Sequence, residues 1–326
     1  MTKRPLLLAL LTAAVTVTAM NLLIISWSHT LIYRKKLEEI RTASNPNLVF
    51  IGDSLLVALR VDPNALADDE RKRGVEVNAL NAALGGSSAT EHRLLYTYAM
   101  KLHPGIRTLI VGFHDFQLTS HVHYRPMDLN GNRMVGIDRR FSLGEVSAVY
   151  HFGRLDRLEL ETLRICPMAA NRANAWKYVE LLRRSMGSVG MPHAASNSMG
   201  RVDDFAALEA ASPDDFDAQA EAFLQHPDHL NENYEYIFND ARRMGINAVM
   251  VVMPISPFHQ TTFYARPVWS QYLATVVGLA HQRGIRVIDA SNWLHSEDDF
   301  ADHLHMSRQG VHEFSIRLGD ELTKPR

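Results

Sequence analysis

The sequence is punctuated by short, largely apolar runs that end at glycine or at polar residues. Such runs stand at residues 48–51, 75–81, 106–113, 246–253 and 285–290. Stretches with the apolar spacing of helices lie between most of them. Runs that are apolar at nearly every position suit strands buried on both faces, and intervening helices suit parallel connections. We therefore predict an α/β fold, with a three-layer α/β/α arrangement around a parallel sheet.

The segment from about 119 to 213 departs from this alternation. It contains a turn-like LNGN, a helical LDRLELETLRI and a loose GSVGMPHAASNSMG. We predict a mid-chain insertion over the sheet, a candidate lid. His121 and His123 could bind a metal ion, but two histidines alone are more typical of a surface loop. The sequence therefore predicts no metal site, and no cofactor.

The amino terminus carries a long uncharged stretch. Residues 6–26 contain no charged side chain, and as a helix these 21 residues would be about 31 Å long. That length matches a bilayer hydrocarbon core of about 30 Å. A cleaved signal peptide would have a shorter apolar region and an A-x-A site, which is missing here. We predict a transmembrane signal anchor over 1–27, a juxtamembrane helix and linker over 28–46, and a catalytic domain over 47–326.

The distribution of charged residues gives only a weak indication of membrane orientation and of partners. Lys3 and Arg4 precede the span, but Arg34, Lys35 and Lys36 follow it, so the positive-inside rule barely discriminates. A short amino-terminal tail more often stays inside, so we expect a single-pass protein with its catalytic domain outside the cytoplasm. The net charge of -2 argues against a nucleic-acid partner.

Polar residues with catalytic potential follow three of the predicted strands. They include Ser54 in Gly-Asp-Ser, Gly86 in Gly-Gly-Ser and His114 in Gly-Phe-His-Asp. Asp302 and His305 follow the last strand, three residues apart. Because functional groups gather at the carboxyl ends of parallel strands, we expect these residues to lie in one cleft.

Ser54, His305 and Asp302 have the chemistry of a nucleophilic triad. A serine hydroxyl needs a base to accept its proton, and a carboxylate can hold the tautomer of that base. Backbone N–H groups of Ser54 and a glycine could stabilise an oxyanion. A Gly-Asp-Ser turn or an Asp-x-x-His pair, taken alone, is also common in turns and on solvated surfaces. Their order and their strand-end positions favour the triad.

Four short blocks resemble the SGNH, or GDSL, hydrolases. FIGDSLL is similar to the first block of that family and NAALGGSS to the second. GFHD stands where the third block normally reads Gly-x-Asn-Asp, and DHLH resembles the last block and is followed by Gly310. The resemblance covers about residues 47–118 and 246–315, and the middle of the chain is unmatched.

The resemblance implies a flavodoxin-like fold and a role for each matched residue. Ser54 would be the nucleophile, His305 the base and Asp302 the residue that orients it. The oxyanion donors would be the N–H groups of Ser54 and Gly86 and the third-block side chain. That side chain is His114 rather than asparagine, so it either donates to the oxyanion, packs against the insertion or hydrogen-bonds to its neighbour.

An amino-terminal span followed by such a domain resembles bacterial proteins that move or remove acyl groups on envelope polymers, such as polysaccharide O-acetyltransferases. We therefore expect a membrane-anchored serine esterase or O-acyltransferase that forms an acyl-enzyme on Ser54. Its substrate would be an acyl ester, expected to be acetyl, of an envelope carbohydrate, and its partner a membrane protein that exports acyl groups. The alternatives are a non-catalytic envelope scaffold with the same fold and a lipase-like esterase on membrane lipids.

Overall fold

The computed structural model describes residues 3–28, 31–57, 77–171 and 212–324. The chain divides into two compact units. Unit 1 consists of residues 1–38 and 123–194, and unit 2 consists of residues 39–122 and 195–326. Residues 58–74, between the first two predicted strands, and the loose segment at 187–200 lie outside the described residues.

A five-stranded sheet forms the centre of unit 2. Its strands are β1 Leu48–Ile51, β2 Ala79–Asn81, β3 Thr108–Phe113, β4 Asn247–Val252 and β5 Arg286–Asp289. All neighbouring strands are parallel, in the order β2-β1-β3-β4-β5. The predicted parallel α/β sheet is confirmed, and its strand order is that of flavodoxin-like doubly wound folds.

Helices connect these strands and build the rest of the described chain. In chain order they are α1 Lys3–Ser28, α2 Ile32–Thr42, α3 Ser54–Val57, α4 Ala89–Leu102, α5 Leu143–Tyr150, α6 Arg154–Ile165, α7 Pro167–Ala170, α8 Pro213–Leu224, α9 Glu232–Arg243, α10 Pro257–His259, α11 Pro267–Gln282 and α12 Arg308–Thr323. Shorter 3₁₀ turns cover Pro126–Asp128, Gly131–Ile137 and Glu297–Asp299, and a π-helical turn covers Gln260–Tyr264.

The sheet is buried on both faces, as its continuous apolar runs require. Phe50, Ile110 and Val251 share one face with Phe314 and Leu318 of α12 in a single apolar cluster. The strand residues between them are buried as well, and α4, α9 and α11 contact the strands without joining that cluster. Helices therefore cover both faces of the sheet, which gives the three-layer arrangement.

The helical pattern over residues 217–244 is divided between two helices. α8 ends at Leu224, three residues before Pro227, because the residue preceding a proline disfavours helical geometry. Asn231 starts α9, and its side-chain oxygen accepts a hydrogen bond from the N–H of Asn233 at 2.9 Å. After this break, α9 packs against β4 of the sheet.

Unit 1 combines the amino-terminal helix with part of the segment that departed from the strand–helix alternation. The side-chain oxygen of Asn21 in α1 accepts a hydrogen bond from the N–H of Met168 at 3.0 Å. The side chains at both ends of α1 lie outside the described residues. Within the part of the chain that is described, none of the helices has the length and apolarity that a membrane crossing requires. The signal anchor stays a prediction.

Candidate active site

The chain interrupts its first apolar run in order to turn and present Ser54. A side chain at Gly52 could not fit, because its Cβ would lie 2.6 Å from Leu56 Cδ1 and 2.9 Å from the carbonyl oxygen of Gly112. Asp53 is buried, and its Oδ1 accepts a hydrogen bond from the N–H of Leu55 at 3.0 Å. That bond starts the short helix α3, whose first residue is Ser54.

A tight loop ahead of α12 carries Asp302 and His305. An antiparallel bridge between Phe300 and Met306 closes the loop at its base. Inside it, Asp302 Oδ1 accepts the N–H groups of Leu304 at 2.9 Å and His305 at 2.7 Å. The carboxylate therefore organises its own loop and fixes where the histidine ring emerges.

The structure brings Ser54, His305 and Asp302 together in a continuous hydrogen-bonded chain. His305 Nε2 lies 2.8 Å from Ser54 Oγ. On the other side of the ring, His305 Nδ1 lies 2.8 Å from Asp302 Oδ2 and 3.0 Å from Oδ1. This is the connectivity in which the carboxylate holds the proton on Nδ1 and leaves Nε2 to accept the hydroxyl proton.

The electrostatics of the pair agree with that assignment. Burial alone would raise the pKa of Asp302, but hydrogen bonds from the side chain and N–H of His305 and from the N–H of Leu304 lower it to about 2. The hydrogen bond to Asp302 raises the pKa of His305, and partial burial opposes that rise. Asp302 is therefore ionised at neutral pH, and its charge favours the imidazolium that forms when a proton is transferred from Ser54.

The loop between β2 and α4 places Gly86 beside the nucleophile turn. The N–H of Leu84 donates to the carbonyl oxygen of Gly52 at 3.0 Å, which ties the two loops together. A Cβ on Gly85 would lie 3.5 Å from Ser54 Cβ, so the backbone passes directly against the serine. Gly86 has a φ of 68°, in the left-handed region that favours glycine. The predicted oxyanion donor thus belongs to a loop that abuts Ser54.

The ring of His114 lies between two carboxylates. Its Nδ1 is 3.5 Å from Asp53 Oδ2, and its Nε2 is 3.8 Å from Asp115 Oδ2. Both distances are longer than those of ordinary hydrogen bonds. Nδ1 is buried and makes no hydrogen bond with a described residue. Asp53 also accepts a hydrogen bond at Oδ2 from the side-chain amide of Gln117.

A buried polar chain behind the Gly86 loop was missed by the sequence prediction. Ser87 Oγ donates to the carbonyl oxygen of Leu84. His92 Nε2 lies 2.8 Å from Ser87 Oγ, and His92 Nδ1 lies 2.8 Å from the hydroxyl of Tyr234. Because Ser87 has already given its only hydroxyl proton, it accepts from Nε2–H, and Nδ1 accepts from Tyr234. These hydrogen bonds therefore link the loop that carries Gly86 to α9.

His92 is neutral in this environment. Burial lowers its pKa to about 4, and the charge of Asp53 opposes that fall only in part. Burial likewise raises the pKa of Tyr234 far above its usual value, so its hydroxyl keeps its proton. The sequence offered one signal, a histidine inside the apolar pattern of a helix, but its partner stands 142 residues further along the chain.

Asp115 anchors a second polar group that the sequence did not reveal. Its φ is 44°, an uncommon conformation for a residue with a side chain. The N–H of Asp115 donates to the hydroxyl of Tyr264 at 2.9 Å, and its Oδ1 lies 3.1 Å from His259 Nε2. The ring of His259 stacks on that of His303, with centroids 6.0 Å apart. Because His303 belongs to the loop of the catalytic histidine candidate, this group links the end of β3 to that loop.

The candidate metal ligands of the sequence do not assemble. His121 and His123 are both exposed. Among the described residues, no group of three or more histidine, cysteine, aspartate or glutamate side chains is arranged to hold a metal ion.

No family model matches this sequence, and no curated protein matches it. Among solved structures, the chain is similar to a lipase/acylhydrolase from Enterococcus faecalis, with 11% identity over 86% of this chain and 98% of that one and a TM-score of 0.40. A GDSL-like lipase from Bacteroides thetaiotaomicron is 9% identical over 90% and 98% of the two chains, with a TM-score of 0.38. An acetyl xylan esterase is 9% identical over 84% and 98%, also with a TM-score of 0.38. These TM-scores are below 0.5, so the chemistry of this chain is deduced from its own side chains.

Proposed function

We propose that this protein is a membrane-anchored serine esterase or O-acyltransferase that acts on acyl esters of an envelope carbohydrate through an acyl-enzyme on Ser54. The observation that carries the proposal is the hydrogen-bonded chain from Ser54 through His305 to Asp302. A serine hydroxyl becomes an effective nucleophile when a base accepts its proton and a third group orients that base. Ser54, His305 and Asp302 are the proposed nucleophile, base and orienting group, and each of the two contacts that support these roles is 2.8 Å long.

Acylation follows from these contacts. Ser54 Oγ attacks the ester carbonyl carbon while His305 Nε2 accepts the hydroxyl proton. Asp302 stays ionised and stabilises the imidazolium. The N–H groups of Ser54 and Gly86 are the proposed donors to the oxyanion, and one such donor is typically worth about 10²–10³ in kcat. The intermediate collapses when His305 returns the proton to the leaving alkoxide, which releases the alcohol and leaves the acyl group on Ser54.

The second half-reaction decides between hydrolysis and transfer. His305 Nε2 accepts a proton from the incoming nucleophile as its oxygen attacks the acyl-enzyme, and then returns that proton to Ser54 Oγ. Water as the nucleophile yields a carboxylic acid, whereas a sugar hydroxyl yields a new ester. The same residues serve both reactions, so the distinction depends on what occupies the acceptor position.

Attachment to the membrane is proposed from the amino-terminal stretch. Residues 6–26 are uncharged, and α1 covers them as one helix. A domain held outside the cytoplasm would meet envelope carbohydrate, and a membrane protein that exports acyl groups is the proposed partner. Fusions at the carboxyl terminus test the orientation. Alkaline phosphatase should be active there and a cytoplasmic fluorescent reporter dark, and the reverse pattern would exclude an envelope substrate.

The catalytic proposal is tested by trapping the nucleophile. A fluorophosphonate probe should modify Ser54, as located by mass spectrometry, and should leave Ser54→Ala unmodified. Ser120→Ala provides a matched control, because Ser120 is exposed and its hydroxyl donates to the carbonyl oxygen of Phe116. If the probe does not modify the wild-type protein, the result would favour the alternative of a scaffold without catalytic activity.

Turnover of aryl esters then defines the reaction. Acetyl esters should turn over faster than long-chain esters, and added oligosaccharide should divert the acyl group from water if the protein is a transferase. A preference for long chains would favour a lipase-like esterase instead.

A further inference from the structure

The helix α6 carries a second apolar stripe that faces outward. Leu160 and Leu163 are buried, whereas Leu155, Leu158 and Ile165 are 82%, 67% and 70% exposed. At roughly 100° per residue, the three exposed side chains fall within about 80° of arc. Single exposed apolar residues are ordinary, but a stripe of them along one helix marks a surface that contacts something other than water.

Positive charge accompanies this stripe. Arg154 and Arg157 flank this arc on one side, about 20° and 80° from its edge, and both are exposed. Neither arginine forms an ion pair with a described residue. Of the acidic residues of α6, Glu159 and Glu161 lie about 40° from the two edges of the arc and Asp156 lies on the opposite side of the helix, but all three are only partly exposed. The outward face of α6 thus offers leucine, isoleucine and arginine to its surroundings.

The same unit contains α1, and a direct contact joins α1 to the chain that follows α6. Asn21 Oδ1 accepts the N–H of Met168, three residues after the end of α6. Along α1, Leu11, Val15 and Leu22 are each 62% exposed. Unit 1 therefore presents apolar side chains on both helices.

The position of Asn21 along α1 indicates how deep its contact with Met168 would lie in a bilayer. It stands five residues before the end of the uncharged stretch at residue 26, or roughly 7–8 Å along a helix. A helix lying in the plane of a bilayer surface buries its apolar face about 5–10 Å below the headgroup boundary. If α1 is inserted, the segment that touches Asn21 stands at the depth of such a helix.

We propose that the outward face of α6 binds the surface of the lipid bilayer beside α1, with Leu155, Leu158 and Ile165 at the acyl boundary and Arg154 and Arg157 paired with lipid phosphates. Arginine suits this place because its stem packs on apolar surface while its guanidinium binds phosphate in a bidentate manner. The inference rests on the membrane attachment proposed above. It adds a second membrane contact, through the insertion, that an anchor helix alone would not provide.

Depth measurements on the full chain in lipid vesicles test this contact. Cys166 is the only cysteine, so Cys166→Ser provides a background for single cysteines that carry an environment-sensitive fluorophore. Labels are placed at Val15 in α1, at Leu158 in α6 and at Met244 in unit 2, which is 46% exposed. Quenchers dissolved in water and quenchers attached to lipid tails then report where each label lies.

The three labels separate the possible outcomes. We expect Val15 near the bilayer centre, Leu158 at a depth of about 5–10 Å, and Met244 open to the aqueous quencher. A deep Val15 with a water-accessible Leu158 would overturn the α6 contact and leave the anchor standing. A Leu158 label shielded from both quenchers would mean that protein covers the stripe, which also overturns the proposal. A water-accessible Val15 would overturn both the contact and the anchor.

The arginines are tested by a matched pair of double variants. Arg154→Gln with Arg157→Gln should lower the ratio of docked to undocked Leu158 label by roughly tenfold or more in vesicles that contain anionic lipid. Arg242→Gln with Arg243→Gln removes two exposed arginines beside Met244 and should leave that ratio unchanged. Equal effects of the two double variants would show that net charge alone is responsible, and would contradict a specific α6 surface.

Discussion

Unit 1 and unit 2 differ in where they place their large apolar side chains. Among the described residues fifteen such side chains are exposed, and eleven of them belong to unit 1, although unit 1 supplies fewer of those residues. Unit 2 buries its own completely at positions such as Phe113, Phe263 and Phe314. A unit that faces only water gains free energy by hiding apolar surface, and the proposed membrane attachment would account for the apolar surface that unit 1 exposes.

The two units also use buried polar groups differently. In unit 1, the guanidinium of Arg164 donates to the backbone carbonyl oxygens of Gly136, Ile137 and Phe141, which holds a 3₁₀ turn in place. In unit 2, one hydrogen-bonded chain ends at Ser54, the candidate nucleophile, and a second ends at Ser87 in the neighbouring Gly86 loop. In the proposed function, unit 2 carries the chemistry and unit 1 the attachment, and each of these two proposals can be tested separately.

The largest effect is expected from the triad of unit 2. Ser54→Ala and His305→Ala should each lower the turnover of an aryl acetate by about 10⁶, and the double variant should lose little more, because the residues act as a unit. Neither change should alter membrane attachment. Losses that multiply in the double variant, with each single variant still active, would contradict a triad.

Asp302→Asn should lower kcat by about 10⁴, because the imidazole loses the partner that holds its tautomer. It should also move the pH profile. Protonated His305 cannot accept a proton, so kcat/KM of the wild type should fall as pH falls through the raised pKa of His305. The hydrogen bond to Asp302 is the main cause of that rise, so in Asp302→Asn the acidic limb should shift to lower pH. An unmoved limb would mean that another group titrates.

The candidate triad could be predicted because its signals are local. Gly52 and Ser54 stand at the end of an apolar run, where a parallel sheet exposes side chains, and Asp302 and His305 form a short Asp-x-x-His spacing in the loop after the last strand. The polar chain of His92 and Tyr234 could not be predicted, because it depends on how α4 and α9 pack against each other. The position of His114 was left open for the same reason, since its neighbours Asp53 and Asp115 come from different strand ends.

The chain of Ser87, His92 and Tyr234 should affect stability in acid. The pKa of His92 is about 4 in the folded protein and 6.5 when unfolded. Its stabilising contribution is therefore present above pH 6.5 and is lost as pH falls towards 4. The loss is about 3 kcal/mol in the free energy of unfolding. His92→Gln cannot titrate, so denaturant unfolding of that variant should depend less on pH in this range. Identical pH slopes in variant and wild type would exclude this role.

His114→Ala should lower kcat by roughly tenfold or more if its ring donates to the oxyanion, with KM and melting temperature near those of the wild type. His114→Asn should then recover part of the loss. If the ring only packs between Asp53 and Asp115, the cost should instead be about 1–3 kcal/mol of stability, with kcat per folded molecule little changed. A His114→Ala variant with unchanged kcat and lower stability would show that the N–H groups of Ser54 and Gly86 stabilise the oxyanion without the His114 ring.

The smallest effect is expected on the outward face of α6, where the contrast between the units is sharpest. Leu155→Ser with Leu158→Ser changes two exposed side chains, so in detergent the free energy of unfolding should change by no more than about 0.5 kcal/mol per site. Leu160→Ser and Leu163→Ser alter the buried face of the same helix and should each cost at least the 2–5 kcal/mol typical of a truncated core leucine. Turnover of a soluble aryl ester should be unaffected by the outward pair, whereas the contact of α6 with lipid should be lost. A large loss of stability from the outward pair would show that protein already covers this face, and unit 1 would then resemble unit 2.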